Sequence, residues 1–354
     1  MDDRAGTIPE RLLGWYDAHA RRLPWRVMPG TVSGEEPARS PPDPYRVWLS
    51  EVMLQQTTTA AVAPYFLKFT ERWPTVEALA AAPEEDVMGA WAGLGYYSRA
   101  RNLIACAREV AARGSFPETE ADLRALPGLG AYTAAAVAAI AFGQRAVVVD
   151  ANVERVVARL FAIAEPLPAA RKAIREAAER ITPESRPGDF AQAMMDLGAT
   201  ICTPRDPKCL LCPVAAQCEA RASGDPASLP VKPAKKARPQ RRGTAFWIVR
   251  DGHVWLVRRD KRGTLGGMRA LPDDGWNARG DGTGEPPLPG EWRTAGAVAH
   301  VFSHFALTLE VRVRAGNQPG DPEGDGEWWP AERLEEAGLP TLFAKAARLA
   351  LAGG

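Results

Sequence analysis

The sequence predicts a mostly α N-terminal domain followed by a smaller α+β C-terminal domain. Three observations predict it. Up to Ile201, apolar residues recur at helical spacing between capping and breaking residues. Residues 231–242, VKPAKKARPQRR, carry 6 basic groups and no acidic one, the composition of a solvated connector. Beyond it, short apolar runs alternate around Asp-Gly and Gly-Gly, the pattern of strands and tight turns. A chain of 354 residues exceeds one ordinary core, and 46% hydrophobic with 25% charged residues is ordinary for a soluble protein. The expected domains are 1–225 and 243–354, with a linker at 226–242.

The net charge of +1 does not by itself point to a nucleic acid. Its distribution is more informative: residues 1–230 hold 25 basic and 28 acidic groups, and residues 243–354 hold 13 and 15. The basic excess therefore sits in the linker, where a phosphate-tracking segment and a plain connector are equally good readings. The N-terminus MDDRAGTIPERLL has no apolar core, and the apolar run 131–143 stops at Gln144-Arg145. We expect neither a signal peptide nor a membrane span, hence a cytoplasmic protein.

In order, residues 8–20 are amphipathic through Leu12, Leu13, Tyr16 and His19, and LPWR ends that helix. Residues 27–42 read as a loop rich in Gly, Pro and Ser. Asp43-Pro44 gives an N-cap with Pro at the first helical position, and the helix is expected to run YRVWLSEVMLQQTTT, to Thr59, before Pro64. Within it Glu51 has Val47, Trp48, Leu54 and Gln55 as helical neighbours. Desolvation there raises a carboxyl pKa toward that of a general acid, whereas a Glu facing solvent or pairing with Arg46 is the bland alternative.

Helices are expected at 64–73, 76–82 and 83–91. Then GLGYY at 93–97 separates them from a helix at 98–113 carrying a buried Cys106. Tyr96 and Tyr97 beside Arg99 and Arg101 could stack on bases and hold phosphates, although aromatics at a helix start more often belong to the core.

Residues 126–152, LPGLGAYTAAAVAAIAFGQRAVVVDAN, are the centre of the first domain. A Gly-x-Gly turn at Gly128 and Gly130 opens into an Ala-rich helix whose free N–H groups suit an anion, and Asp150 closes the stretch. Helices at 153–162, 169–181 and 189–201 follow. Cys202, Cys209, Cys212 and Cys218 then form a C-x6-C-x2-C-x5-C array. Without a secretory signal this reads as a metal site, and the spacing leaves zinc and an iron–sulfur cluster both open.

In the second domain TAFWIVR and HVWLVRR flank Asp251-Gly252 as the arms of a hairpin with a type I′ turn. Strands are expected at 297–302 and 305–313, loops at Gly266-Gly267 and 272–290, and short helices near 331–337 and 342–351.

Taken together, LPWR, DPYRVWLSEVMLQQTTT, GLGYYSRARNL, LPGLGAYTAAAV, VDANVERV, the four cysteines and FSHFALTLEV resemble the MutY-type adenine DNA glycosylases of the helix-hairpin-helix superfamily. The resemblance covers nearly the whole chain. It implies a helix-hairpin-helix domain with a [4Fe-4S] cluster on Cys202, Cys209, Cys212 and Cys218, and a Nudix-like second domain without the Glu-rich motif of pyrophosphate hydrolases. It further implies that Glu51 protonates a flipped adenine, that Asp150 stabilises the sugar cation and forms a transient adduct, and that Tyr132 and Asn152 support them. Arg21, Leu23 and Trp25 would line the adenine pocket. Gln55, Gln56 and Tyr96 would enter the duplex, while Leu126, Gly128 and Gly130 grip a phosphate. Phe302, Ser303 and His304 would read 8-oxoguanine opposite the adenine. The implied partner is duplex DNA holding adenine opposite 8-oxoguanine or guanine, bound by a monomer. Tyr132 occupies the place where lyases of the superfamily carry a Schiff-base lysine, which argues against a pyrimidine glycosylase/lyase. Ala151, where the family often has Gly, and the long loop 27–42 depart from the pattern.

Overall fold

The computed structural model describes residues 3–29, 41–233, 237–260, 263–314, 322 and 324–352. Much of the loop expected at 27–42 and the middle of the linker lie outside the described residues. Contacts divide the chain into two compact units, Met1–Ala82 with Ser98–Ala234, and Pro83–Tyr97 with Lys235–Gly354. The excursion of Pro83–Tyr97 into the second unit has no counterpart in the reading by chain order.

The first unit is helical. It begins with α1 (Asp3–His19), α2 (Pro44–Leu54), α3 (Thr59–Arg72) and α4 (Val76–Ala81). α5 (Glu84–Trp91) lies in the second unit. The first then resumes with α6 (Ser98–Arg113), α7 (Glu120–Arg124), α8 (Ala131–Phe142), α9 (Ala151–Leu160), α10 (Arg171–Ile181), α11 (Pro187–Thr200) and the short α12 (Glu219–Ala222).

Local chemistry sets the ends that matter for the site. Asp43 accepts from the Tyr45 N–H at 2.9 Å and Pro44 opens α2, as expected. The helix does not continue to Thr59. It stops at Leu54, Gln56 takes a φ of 61°, and the Thr58 hydroxyl accepts from Ala61 N at 3.3 Å to start α3, which runs through Pro64. Arg99 completes the break: its guanidinium donates to Val52 O and Met53 O at 3.1 and 2.8 Å and to Thr57 Oγ1 at 3.1 Å. A residue considered for phosphate contact is thus a buried clamp on the carbonyl end of α2.

α8 is buried from Thr133 to Ala139 because small side chains let neighbours approach from every side. α11 comes equally close to α9. A β-carbon on Gly198 would stand 2.6 Å from Asn152 Cβ, so only glycine permits that approach. These two helices fix the positions of Tyr132 and Asp150.

The second unit holds two sheets, formed by β1 (Gln240–Trp247), β2 (Val249–Arg250), β3 (His253–Arg258), β4 (Arg269–Ala270), β5 (Trp292–Val301), β6 (Ala306–Arg314) and β7 (Gly326–Pro330). One sheet has the order β1-β6-β5, with β1 parallel and β5 antiparallel to β6; in the other β3 pairs with β2, β4 and β7. The Asp251-Gly252 turn forms as expected, with φ of 49° and 74°. Its first arm does not. Only Val249–Arg250 pairs with β3, whereas β1 leaves at Ile248 and pairs along its length with β6. Phe246 and Trp247 are buried, and joining the longer strand β6 gives them a core face that a two-stranded ribbon lacks. The chain ends with a 3₁₀ segment at Ala331–Ala337 and α13 (Thr341–Ala352), which packs Leu342, Phe343 and Ala346 into the core with β6.

Candidate active site

A cleft of about 1100 Å³ opens in the helical unit, and Glu51, Tyr132, Asp150 and Asn152 line it together. Glu51 is only 5% exposed. Burial pushes its carboxyl up to about 7, Asp150 adds to the shift, and the hydrogen bond from Tyr132 and the charge of Arg26 oppose it only in part. The Tyr132 hydroxyl donates to Glu51 Oε2 at 2.7 Å. Burial and the facing carboxylates hold that phenol well above its ordinary pKa, so it remains a donor. Arg46 is directed elsewhere: it donates to Pro24 O at 3.1 Å and lies over the Phe66 ring.

Asp150 is the N-cap of α9. Its Oδ1 accepts from Asn152 N at 2.8 Å and Val153 N at 2.7 Å, and its Oδ2 accepts from Asn152 Nδ2 at 2.9 Å. The positive end of a helix and three donors therefore face one carboxylate. Asn152 is itself fixed, because Arg155 donates to its Oδ1 at 2.9 Å and to Gly198 O and Cys202 O at 2.7 and 2.8 Å.

Arg21, Leu23 and Trp25 stand on the same cleft. Asp196, fully buried, accepts from Arg21 Nε and Arg26 Nη1, both at 2.6 Å, and from Arg21 N at 3.0 Å. Trp25 is buried edge-on against Phe66 at 5.4 Å. Gln55 and Gln56 also line the cleft: Gln55 donates to Thr133 Oγ1 at 3.0 Å, and Gln56 is exposed.

In the turn before α8 only Gly128 needs its glycine. It has a φ of 77°, and a β-carbon there would lie 2.6 Å from Asn102 Cβ. Gly130 has an ordinary φ of −79° and no side-chain cap, so α8 presents its first N–H groups uncovered by a Cβ. Leu126 is buried and faces the core.

The four cysteines gather around one cavity with Arg159 at its wall. Arg159 Nη1 donates to Cys202 Sγ at 3.3 Å, and Cys218 Sγ lies 3.4 Å from Arg159 O. Burial pushes the Cys212 thiol up to about 11, with the other three cysteines adding to the shift. Among the described residues no three His, Cys, Asp or Glu side chains are grouped to hold a single metal ion. Four cysteine sulfurs lining one cavity are the donor set of a thiolate-ligated metal site.

A family model described as HhH-GPD superfamily base excision DNA repair protein matches residues 49–184, and a NUDIX domain model matches 244–349. The chain is 35% identical to an adenine DNA glycosylase of Homo sapiens, over 96% of this chain and 73% of that protein. It is 39% identical to the adenine DNA glycosylase of Mycolicibacterium smegmatis, over 71% of this chain and 83% of that one. The chain belongs to the adenine DNA glycosylase family. A solved thermostable thymine-DNA glycosylase superposes with a TM-score of 0.53 at 29% identity, over 63% of this chain and 98% of that one.

As a member of the adenine DNA glycosylase family it is a DNA-binding glycosylase of base excision repair. Its second unit carries the other expected residues. Tyr96, exposed and with a φ of 50°, is not on the cleft, and its hydroxyl lies 3.1 Å from Ser303 Oγ. Ser303 and His304 are exposed in the turn between β5 and β6, and Phe302 is half-buried beneath them. Sequence reasoning missed Arg26, Asp196, Gln192, Arg155 and Arg159. Asp196 is separated from Arg21 by 175 positions, and no local spacing signals such a pair. Among the described residues no helix is long and apolar enough to cross a membrane.

Proposed function

We propose that the chain hydrolyses the N-glycosidic bond of adenine opposite 8-oxoguanine or guanine in duplex DNA, acting as a monomer. The observation that carries the proposal is the buried Glu51, held by Tyr132 and sharing a cleft with Asp150. A duplex hides the bond to be cut, so the adenine must be rotated out of the stack, and Arg21, Leu23 and Trp25 form the wall that receives it. Glu51, half protonated near pH 7, gives its proton to the departing purine, which takes the electrons of the C1′–N bond. Positive charge grows on the sugar as the bond lengthens, and the Asp150 side chain, fixed by three donors, stabilises that charge and can form the transient adduct. Water then adds at C1′, the bond to Asp150 breaks with its electrons returning to the carboxylate, the water's proton passes to the now deprotonated Glu51, and an abasic site is left.

The uncovered N–H groups at the start of α8 and the Gly128 turn hold a phosphate, while Gln55 and Gln56 fill the space left by the extruded base. Tyr96, Phe302, Ser303 and His304 read the opposite base. Cys202, Cys209, Cys212 and Cys218 would hold a [4Fe-4S] cluster, and Arg155 and Arg159 of α9 hold the start of the loop of 202–218 by donating to Cys202 O and Thr203 O.

The test is a duplex with a single adenine opposite 8-oxoguanine, incubated with the protein and then treated with alkali. Alkali-dependent cleavage at the adenine is expected, and Glu51→Gln and Asp150→Asn should each abolish it while duplex binding persists. Unchanged excision in both variants overturns the assignment.

A further inference from the structure

The turn proposed to read the opposite base rests on an indole, Trp276, that the sequence does not single out. Phe302 N donates to Phe305 O at 2.8 Å, which closes the turn under Ser303 and His304. Below, the Phe302 and Phe305 rings stack at 4.6 Å, 22° from parallel, and the fully buried Trp276 packs 5.9 Å from the first and 6.4 Å from the second. Trp276 is clamped from its other sides. The Arg259 guanidinium lies 4.3 Å from the indole centroid and donates to Trp276 O at 3.1 Å, Asp273 pairs with the same guanidinium, and Phe343 of α13 stands at 6.3 Å. Even the facing strand makes room: a β-carbon on Gly243 of β1 would lie 2.4 Å from Trp276 Cδ1. The indole comes from the loop 272–290, so side-chain packing, not strand or helix geometry, decides where it sits.

We propose that Trp276 is a positioning residue for the Phe302–His304 turn, so that discrimination of the base opposite the adenine depends on a buried indole that never meets DNA. The inference rests on the reading that this turn contacts that base. Hydrogen bonds that separate a lesion from guanine at one or two atoms lose their value when their donors shift by about 1 Å, which makes the support of the turn part of its selectivity.

The measurement is the ratio of single-turnover excision rates for adenine opposite 8-oxoguanine and opposite guanine, taken at a temperature where circular dichroism shows each variant folded. Trp276→Ala should lower the ratio about tenfold, the scale of one or two hydrogen bonds, and Trp276→Phe should recover most of it by restoring a ring beneath Phe302. Added to Ser303→Ala with His304→Ala, Trp276→Ala should lower the ratio no further, because it acts through those two side chains. Should Trp276→Ala not fold, Gly243→Ala displaces the same indole from the opposite side and is expected to act in the same direction. A ratio within twofold of the intact protein's, equal losses on both substrates, or a full tenfold loss on top of the double variant would each overturn the inference. If the Ser303/His304 double variant itself keeps the full preference, the reading of the turn fails first and the inference with it.

Discussion

Burial holds Glu51 at a pKa of about 7, and rate and stability should both follow that titration. Only the protonated carboxyl can donate, so the single-turnover excision rate is expected to fall as pH rises through about 7, and a rate still climbing at pH 8.5 would rule out Glu51 as the acid. For stability, the folded-state pKa lies above the ordinary 4.5, so the contribution is complete at acid pH and is lost as pH rises through about 7. Glu51→Gln keeps an acceptor for Tyr132 and removes the buried charge. It should therefore melt close to the parent at pH 5 and be stabilised at pH 8 by roughly 3 kcal/mol, read from paired denaturant titrations. Glu51 was legible in the sequence because a carboxylate among Val47, Trp48 and Leu54 breaks an apolar pattern. Arg99 was not: one basic residue after a Gly-rich turn looks the same whether it meets phosphate or caps carbonyls 46 and 47 positions away.

At the scale of elements, the N-cap of α9 is also the carboxylate proposed to stabilise the sugar cation. Asp150→Asn keeps a cap of similar quality and Asp150→Ala does not, so only the alanine variant should lose about 1–2 kcal/mol of stability, although both lose excision. Equal melting temperatures for the two would show that the cap is dispensable. The approach of α11 gives an independent handle. A methyl group on Gly198 must displace Asn152, so Gly198→Ala should slow excision at least tenfold without weakening duplex binding in a gel-shift titration. The cysteine loop answers to colour: protein purified without oxygen should be brown, and a colourless preparation with stoichiometric zinc refutes the cluster. Most helices of the first unit were readable from periodicity and caps, with α6 found at Ser98–Arg113 as expected. The gap between α2 and α3 was not, because a Thr cap and a distant guanidinium outweigh the Pro64 signal. Nor was β1. Its alternation suits a hairpin arm and a parallel neighbour alike, and only the later, longer β6 decides between them.

At the scale of the molecule, the cleft residues and the cysteines lie in one unit and the Ser303 turn in the other. A chain ending at residue 233 should still excise adenine opposite guanine, with a sharply reduced preference for 8-oxoguanine. It should also melt below the intact protein. Removing the later residues strips Pro83–Tyr97 of its packing against the rest of its unit, including the Arg258–Glu85 pair at 3.5 Å. A truncated form as stable as the parent would mean that this packing contributes nothing. The same excursion means that a gene split at the linker could be repaired by co-expression. Two separate polypeptides, the first bearing Pro83–Tyr97 and the second the remainder of that segment's unit, together make up one compact unit and so carry the instructions for finding each other without a peptide bond.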